Sequence, residues 1–172
     1  NGQPASVFPD PIGYEHSVHF VMAQNPGARH VLLLGGNPVG DIPELLKYPL
    51  ESLTVVALDA GVGRLLRRVV PDLYELALSD PRVVSVVEDA PRFVRRCGRT
   101  FDVVLIHAPE PSTAGANRFY TREFYTGISR ILAPGGFMYG EMTSSERLQK
   151  RSAEMGASIF RTLRAVFPVV LV

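Results

Sequence analysis

Short apolar segments alternate with helix-length segments from residue 30 onward, and this alternation constrains the fold more than any other feature of the sequence. The apolar segments are His30–Leu34, Leu53–Leu58, Val83–Val87, Phe101–Ile106 and Phe137–Glu141. Each is apolar nearly throughout, as expected for strands that are covered on both faces of a sheet. The pattern predicts an α/β fold of the Rossmann type, with a mostly parallel, doubly wound sheet and right-handed crossovers.

Segments long enough for crossover helices fill the spaces between these strands. They are Asp41–Tyr48, Gly61–Val70, Pro91–Cys97 and Thr121–Leu132, and further helices are predicted at His16–Gln24 and about Ser145–Val166. Asp41 is the predicted N-cap of the first crossover helix, since Pro43 and Glu44 follow at positions that suit a first turn. The final residues, Val169–Val172, have the composition of one more strand.

A chain of 172 residues has the size of one ordinary domain. Proline and glycine are frequent in residues 1–29, which predicts an irregular lead-in, the remnant of an N-terminal hairpin, that ends in a helix and a turn. Residues 30–172 are predicted to form one Rossmann-like cofactor-binding domain. The chain starts with Asn1 rather than methionine, and its last strand has no predicted neighbour, so we expect a domain truncated at both ends.

The formal net charge is only +1, which gives no indication of non-specific binding to nucleic acid or to acidic lipid. Arginines nevertheless cluster in two predicted helices, at Arg64, Arg67 and Arg68 and at Arg92, Arg95, Arg96 and Arg99. We interpret both clusters as solvated helix faces rather than anion sites, because the outward faces of helices are commonly charged.

One cysteine, Cys97, excludes an internal disulfide and suits a reducing compartment. No apolar run approaches the roughly 20 residues that span a bilayer, and no signal-peptide pattern opens the chain. We therefore expect a cytoplasmic domain that does not itself insert into a membrane. We predict no metal site.

Ligands of open parallel sheets bind outside the carboxyl ends of the strands, where the strand order reverses. The loop after the first strand contains Gly35, Gly36, Asn37 and Gly40. Its glycines let the backbone approach a ligand closely, and the helix that follows points its amide groups toward the crevice. The alternative is a tight turn that binds nothing, but the position between a strand and a capped helix favours binding.

Two more loops at the same edge carry carboxylates. Asp59 follows the second strand, where an acid commonly accepts hydrogen bonds from ribose hydroxyls. Glu88, Asp89 and Ala90 follow the third strand, where a carboxylate can accept a hydrogen bond from an adenine amino group. Either acid alone could be only a helix N-cap, but together they favour a nucleoside pocket.

The loop after the fourth strand starts with His107 and continues through Glu110 toward Tyr120. An imidazole at the crevice could act as a general base near neutral pH, and Glu110 could hold a cationic amine. The alternative, which the sequence alone favours slightly, is a structural histidine that is hydrogen-bonded to the backbone.

Several motifs make the chain resemble the spermidine synthase family. The motifs are Leu33–Gly36, Glu44–Pro49, Asp80–Val83, Phe101–Val104, Phe119–Tyr125, Leu132–Gly136 and Phe160–Pro168. Their order and spacing match over nearly the whole chain, which makes the combination specific. The resemblance implies the fold of the S-adenosylmethionine-dependent methyltransferases. It also implies transfer of an aminopropyl group from decarboxylated S-adenosylmethionine to putrescine.

The resemblance gives roles to several residues by position. Asp89 matches the family's adenine-binding aspartate, while Glu15 and His19 match a glutamate and a histidine that precede the first core strand. Glu15, His19, Glu110 and Tyr120 are therefore the candidate residues for binding a small-molecule amine. Family members commonly associate through the N-terminal region, so a homodimer is an expectation, and no nucleic-acid partner is expected.

Other positions depart from the family pattern. Pro38 stands where the glycine-rich loop carries an aspartate for the cofactor's amine, and Ala57 replaces the glutamate that would bind the ribose. His107 occupies the position of the catalytic aspartate, and Glu110 that of the second, substrate-binding aspartate. These changes remove negative charge from a site whose usual ligands are cationic, and each lost charge-assisted hydrogen bond costs about 1.5–3 kcal/mol.

Three functions remain open on the sequence alone. The first is a transferase that uses S-adenosylmethionine or its decarboxylated form, with His107 as the base. The second is a catalytically inactive nucleoside-binding or regulatory domain of a larger membrane protein. Residues 109–113 together with residues 117–121 resemble a branch of spermidine synthase-like proteins often fused to membrane-spanning segments. The third is an ordinary methyltransferase, which tolerates a neutral pocket better because intact S-adenosylmethionine keeps its own carboxylate. The first is our working hypothesis.

Overall fold

The computed structural model describes residues 11–57, 60–111, 113–141 and 150–172. Its strands are β1 (His30–Gly35), β2 (Ser52–Ala57), β3 (Val83–Val87), β4 (Phe101–His107) and β5 (Leu132–Gly140). They form one sheet in the order β3-β2-β1-β4-β5, and every neighbouring pair is parallel. The predicted α/β fold with a parallel sheet is therefore confirmed.

The strand order reverses between β1 and β4. From β1 the chain crosses to β2 and β3 on one side, and it then returns to add β4 and β5 on the other. Leu34 lies opposite Val56 of β2 and Ile106 of β4, while Gly35 lies opposite His107. The carboxyl ends of β1 and β4 thus meet at one edge, and the crevice between them is the usual ligand position in such sheets.

Helices cover both faces of the sheet. They are α1 (Pro11–Met22), α2 (Pro38–Leu45), α3 (Ala60–Val69), α4 (Pro71–Ser79), α5 (Ala90–Arg96), α6 (Ala114–Asn117), α7 (Arg122–Ile131) and α8 (Lys150–Arg164), with a 3₁₀ turn at Arg118–Tyr120. The core on one face is closed by α1, α2 and α4, and the core on the other by α5, α7 and α8.

The central strand β1 contributes to both cores because its side chains alternate between the two faces. Val31 and Leu33 pack with the α1 and α2 side, whereas Leu32 and Leu34 pack with the α5 and α7 side. All four are buried, and full burial of such a side chain stabilises the fold by about 1.5–3 kcal/mol. This packing fixes the position of the loop that follows Gly35.

The first crossover helix starts earlier than predicted. Asn37, and not Asp41, is the N-cap of α2, because its Oδ1 accepts a hydrogen bond from the Val39 amide at 3.1 Å. Pro38 occupies the first position of the helix. Amides at this position form no hydrogen bond within the helix, so the missing amide hydrogen of proline costs nothing here. Asn and Asp cap helices almost equally well, so residue type alone does not select between them.

Two further features of the fold differ from the prediction. β3 is an edge strand with Val84 and Val87 exposed, so it is not covered on both faces. A run of apolar residues looks the same at the edge of a sheet as at its centre. The helix α4 was not predicted, because Pro71, which opens it, also suits the end of α3.

The terminal segments differ as well. The helix α1 begins at Pro11 rather than His16, and it buries Val18 and Met22 in the core. The residues Val169–Val172 form no strand, and no described strand lies beside them. The expected hairpin remnant in residues 1–10, Asp59, and residues 142–149 lie outside the described residues. Within the described ranges, none of the helices combines the length and apolar character needed to cross a bilayer.

Candidate functional site

A cavity of about 170 Å³ extends from the edge where the strand order reverses, across β2 and β3, to α3 and α4. Three of the predicted site residues, Gly35, Gly36 and His107, line it. The other lining residues are Pro38, Val55, Ala57, Val62, Gly63, Tyr74, Leu78 and Ser85. None of these described lining residues is an acid, and Pro38 and Ala57 stand in the wall where the family resemblance implies carboxylates.

The loop after β1 takes a backbone conformation that only glycine adopts readily. Gly35 and Gly36 have φ angles of 81° and 78°, in the left-handed region. A Cβ atom on Gly36 would collide with the carboxylate of Asp41 and press on the ring of His107. The loop is therefore folded tightly over Asp41, and this folding brings the loop backbone to the cavity wall.

Asp41 is a buried carboxylate beneath this loop, with only 3% of its surface exposed. Its Oδ2 accepts a hydrogen bond from the Asn37 amide at 2.7 Å. Burial raises the pKa of Asp41, while His107 and the Asn37 amide oppose the rise because they favour the charged form. Asp41 thus holds the glycine loop in place and puts a carboxylate next to His107. Sequence reasoning assigned it only a capping role.

We expect Asp41→Asn to raise the free energy of unfolding at neutral pH. We expect this gain to disappear at acidic pH. The pKa of Asp41 is higher in the folded state than in the unfolded state. At pH values between these two pKa values the folded state therefore binds more protons than the unfolded state. The stability of the natural chain therefore falls as pH rises through that window. Asparagine carries no charge to desolvate, and its Oδ1 can still accept the Asn37 amide.

Urea unfolding at about pH 7 and about pH 4 measures this effect. Asp72→Asn, at an exposed position of α4, is the matched control and should give the same difference from the natural chain at both pH values. A stability gain for Asp41→Asn that is equally large at the two pH values would contradict the expectation.

His107 is the last residue of β4 and lies opposite Gly35 in the register of the two central strands. Its Nε2 atom is buried and has no hydrogen-bond partner in the part of the chain that the structure describes. Buried polar atoms are nearly always hydrogen-bonded, so an unpartnered nitrogen on a residue that lines a cavity suits a ligand atom or a transferred proton. The structural alternative that the sequence slightly favoured, a histidine hydrogen-bonded to the backbone, has no such bond at Nε2 among the described residues.

Tyr14 of α1 holds the glycine loop from a side other than the cavity. Its hydroxyl accepts a hydrogen bond from Asn37 Nδ2 at 2.7 Å, and its ring occupies the space where Gly40 would carry a Cβ. Asn37 and Gly40 were predicted to contact the cofactor, but neither lines the cavity. Sequence reasoning gave Tyr14 no role in the site, since it is far along the chain from both.

The acids after β3, which were predicted to bind adenine, already have partners. Asp89 caps α5 through Oδ1, which accepts the Arg92 amide at 3.1 Å. Its Oδ2 is buried and forms an ion pair with Arg118 at 2.5 Å, but it has no hydrogen-bond partner among the described residues. Glu88 pairs with Arg92 and Arg96, each at 3.3 Å. An adenine amino group would therefore have to share Asp89 with a guanidinium.

Arg118 reaches Asp89 from the opposite half of the sheet edge. Its guanidinium lies 5.2 Å from the ring centroid of Phe119, and 51% of its side chain is exposed. Ala90, the remaining candidate in this loop, is buried in the core with Val94 of α5. No local sequence pattern indicated the Asp89–Arg118 pair, because it joins two loops that only the folded sheet brings together.

The four candidate amine-binding residues are not gathered in one place. His19 is engaged by Tyr48 and Glu44, whose oxygens lie 2.7 Å and 3.0 Å from its ring nitrogens. Glu15 is exposed on the same helix, α1. None of these residues lines the 170 Å³ cavity.

Glu110 and Tyr120 lie in the loop region that follows β4. Glu110 is exposed, and Tyr120 donates a hydrogen bond to the Pro109 carbonyl at 3.1 Å. Burial, with a smaller contribution from Glu110, raises the pKa of Tyr120. Tyr120 and Glu141 line a second, smaller and mainly apolar cavity of about 50 Å³. Glu141 is an acid at this edge that sequence reasoning missed, and its charge also raises the pKa of Asp41.

Comparison with known proteins gives a consistent result. The model of the spermine/spermidine synthase domain matches residues 12–171. A polyamine aminopropyltransferase of Korarchaeum cryptofilum is 28% identical over 94% of this chain and 49% of its own length. A polyamine aminopropyltransferase of Klebsiella pneumoniae is 33% identical over 76% of this chain and 46% of its own length. The chain thus spans about half the length of the curated relatives that it matches.

Solved structures agree on the fold. A spermidine synthase from Thermotoga maritima superposes with a TM-score of 0.75 at 25% identity, over 93% of this chain and 52% of that one. A spermidine synthase in complex with the transition-state analogue AdoDATO gives a TM-score of 0.78 at 24% identity, over 93% and 53%. A precorrin-8w decarboxylase gives a TM-score of 0.58 at 15% identity, over 92% and 75%, so the fold extends beyond one activity.

Proposed function

The chain belongs to the spermine/spermidine synthase family, and from this premise we propose that it is a transferase domain that binds an adenosyl sulfonium compound. The compound is decarboxylated S-adenosylmethionine or S-adenosylmethionine, and the acceptor is a small-molecule amine. One observation carries the proposal: Gly35, Gly36 and His107, a histidine whose buried Nε2 has no partner among the described residues, line one cavity that reaches the reversal of the strand order.

The residues present fit an adenosyl group in two respects. The left-handed backbone of Gly35 and Gly36 leaves the loop without side chains at the cavity wall, so a ligand can approach the main chain closely. Asp89 can accept an adenine amino group even beside Arg118, because a carboxylate oxygen has more than one acceptor position. These residues would hold the nucleoside.

The proposed transfer step forms one bond, breaks one bond and releases one proton. The adenosyl compound supplies a carbon bonded to a positively charged sulfur. The amine nitrogen of the acceptor forms a bond to this carbon while the carbon–sulfur bond breaks, and the electron pair stays on sulfur as a neutral thioether. The nitrogen must lose one proton, and we assign its acceptance to Nε2 of His107.

Methyl transfer is the second candidate reaction, and the neutral wall of the cavity favours it. Decarboxylated S-adenosylmethionine has an uncompensated ammonium group, which a wall formed by Pro38 and Ala57 does not balance. Intact S-adenosylmethionine keeps a carboxylate beside its ammonium group, so it needs less negative charge from the protein to balance that group. Mass spectrometry of the product distinguishes an aminopropylated amine from a methylated one.

We expect Asp89→Asn to weaken adenosyl binding by at least about tenfold. Asparagine is as good an N-cap as aspartate, so α5 should remain intact. Its amide oxygen is needed for the cap, and its amide nitrogen cannot accept the adenine amino group. Calorimetric titration with S-adenosylmethionine, its decarboxylated form and methylthioadenosine measures the affinities.

The matched control is Asp80→Asn, since Asp80 precedes β3 and lies at the opposite edge of the sheet, where it pairs with Arg82. It should leave the adenosyl affinity unchanged. If none of the three compounds binds the natural chain at millimolar concentration, the proposed function is wrong.

A further inference from the structure

The helix α3 exposes an apolar stripe that the fold does not cover. Val62, Leu65 and Val69 are 48%, 60% and 65% exposed, and α3 has no buried residue. The spacing of three and four residues puts these side chains on one face of the helix. In a globular domain such a stripe normally faces the core, so its exposure points to a surface that binds something.

The position of α3 explains why the sheet does not cover this stripe. The helix packs on α4, with Gly63 against the Tyr74 hydroxyl and Arg67 over the Tyr74 ring at 5.4 Å. It is α4, and not α3, that contributes a buried residue, Ala77, to the core. The neighbouring α4 also exposes Leu73 and Leu76, so apolar side chains are exposed on both helices.

Arginines border the exposed stripe. Arg64, Arg67 and Arg68 belong to α3, which contains no acidic residue. The nearest acids in sequence are Asp59, which precedes α3 and lies outside the described residues, and Asp72 and Glu75 of α4. Glu75 is already paired with Arg67 at 2.8 Å. Arg64 and Arg68 are exposed on α3 itself. The net charge of the whole chain is nearly zero, but α3 taken by itself is basic and has an exposed apolar face.

We infer that the exposed face of α3 docks on the surface of an anionic lipid bilayer. A short helix with leucine and valine on one side and arginines beside them is the pattern of a helix that lies in the membrane interface. Its apolar side chains enter the acyl boundary, and the long arginine side chains reach the phosphate and carboxylate head groups. Its ten residues span about 15 Å along the surface and cannot cross a bilayer.

The charges favour lipid over a second copy of the chain. A symmetric pair formed through this face would bring the arginines of two identical basic helices together, and like charges at close range oppose association. An anionic surface instead attracts each arginine. The face adjoins the candidate site, since Val62 and Gly63 also line the 170 Å³ cavity. Docking therefore places the cavity close to the lipid surface, whatever reaction the cavity supports.

Sedimentation with large unilamellar vesicles tests the inference on the 172-residue chain. Vesicles of phosphatidylcholine with roughly a third phosphatidylserine should bind the chain at low salt, and vesicles of phosphatidylcholine alone should bind at least about tenfold more weakly. Arg64→Gln with Arg68→Gln should lower the partition coefficient on the anionic vesicles by about tenfold or more and reduce its dependence on salt. Leu65→Ser with Val69→Ser should lower it by about tenfold or more on the same vesicles.

The chain supplies matched controls for both changes. Val169→Ser with Leu171→Ser removes the same two residue types from another exposed segment, and Arg95→Gln with Arg164→Gln removes two exposed arginines from α5 and α8. Neither control should change vesicle binding, and circular dichroism verifies that all variants are folded. Absence of binding to anionic vesicles, or equal loss in the controls, overturns the inference. A dimer in sedimentation velocity that Leu65→Ser with Val69→Ser dissociates would overturn it in favour of a second copy.

Discussion

Replacing His107 by alanine is expected to lower turnover by about 10²–10⁴-fold while leaving adenosyl affinity within about twofold of the natural chain. The reason is that His107 lines the cavity and that its buried Nε2 has no partner among the described residues. In the proposed function His107 takes the proton from the attacking amine, whereas the glycine loop and Asp89 hold the nucleoside. Single-turnover kinetics and calorimetry on the same preparations separate the two effects.

A second variant, His107→Asp, makes this prediction sharper. The family resemblance implies aspartate at this position, so the variant should retain more turnover than His107→Ala. His16→Ala, at an exposed position of α1, is the control and should have no effect. Unchanged turnover in His107→Ala would show that the proton goes elsewhere, and the assignment of His107 would then be wrong.

Replacing Gly36 by alanine is expected to destabilise the fold by about 3 kcal/mol and to lower the melting temperature by about 10 °C. Two costs add at this position. The φ angle of +78° is strained for any residue with a side chain, and the new Cβ would collide with the Asp41 carboxylate. Because Asp41 is buried and bonded to the Asn37 amide, it cannot move away without breaking that bond.

Two other glycines separate these costs. Gly135 has a φ of +77° but nothing within 4 Å of the added Cβ, so Gly135→Ala should cost about 1 kcal/mol from backbone strain alone. Gly98 has open space and no left-handed backbone, so Gly98→Ala should change stability by less than about 0.5 kcal/mol. Thermal and urea unfolding give the three values. An effect of Gly36→Ala no larger than that of Gly135→Ala would mean that the loop and Asp41 are not in contact as described.

Much of the fold could be predicted because the burial of a strand is reflected in the amino-acid composition of that segment. The runs that became β1, β2 and β4 are apolar because both faces of a central strand are covered, and their bounds were correct to within about two residues. The edge strand β3 has the same composition, and its exposed Val84 shows that local composition does not encode the position in the sheet. The order of the strands in the sheet was not predicted, because no residue pattern encodes it.

The candidate site could be predicted only in part. His107, Gly35 and Gly36 follow their strands directly, so knowing where each strand ends was enough to place them at the cavity. The partners of the other candidates depend on tertiary structure. Arg118 approaches Asp89 only after the sheet has formed, and the burial of Asp41 depends on the tight turn at Gly36. Such pairings carry no periodic or spacing signal, and so they were missed.

The pairing of Asp89 with Arg118 has a kinetic consequence. The guanidinium is half exposed, and no strand or helix has to move for it to leave the carboxylate. Rotamer changes of exposed side chains take picoseconds to nanoseconds, whereas opening a lid or a hinge takes microseconds to milliseconds. For the nucleoside binding that we propose at Asp89, we therefore expect that displacement of Arg118 does not limit the association rate.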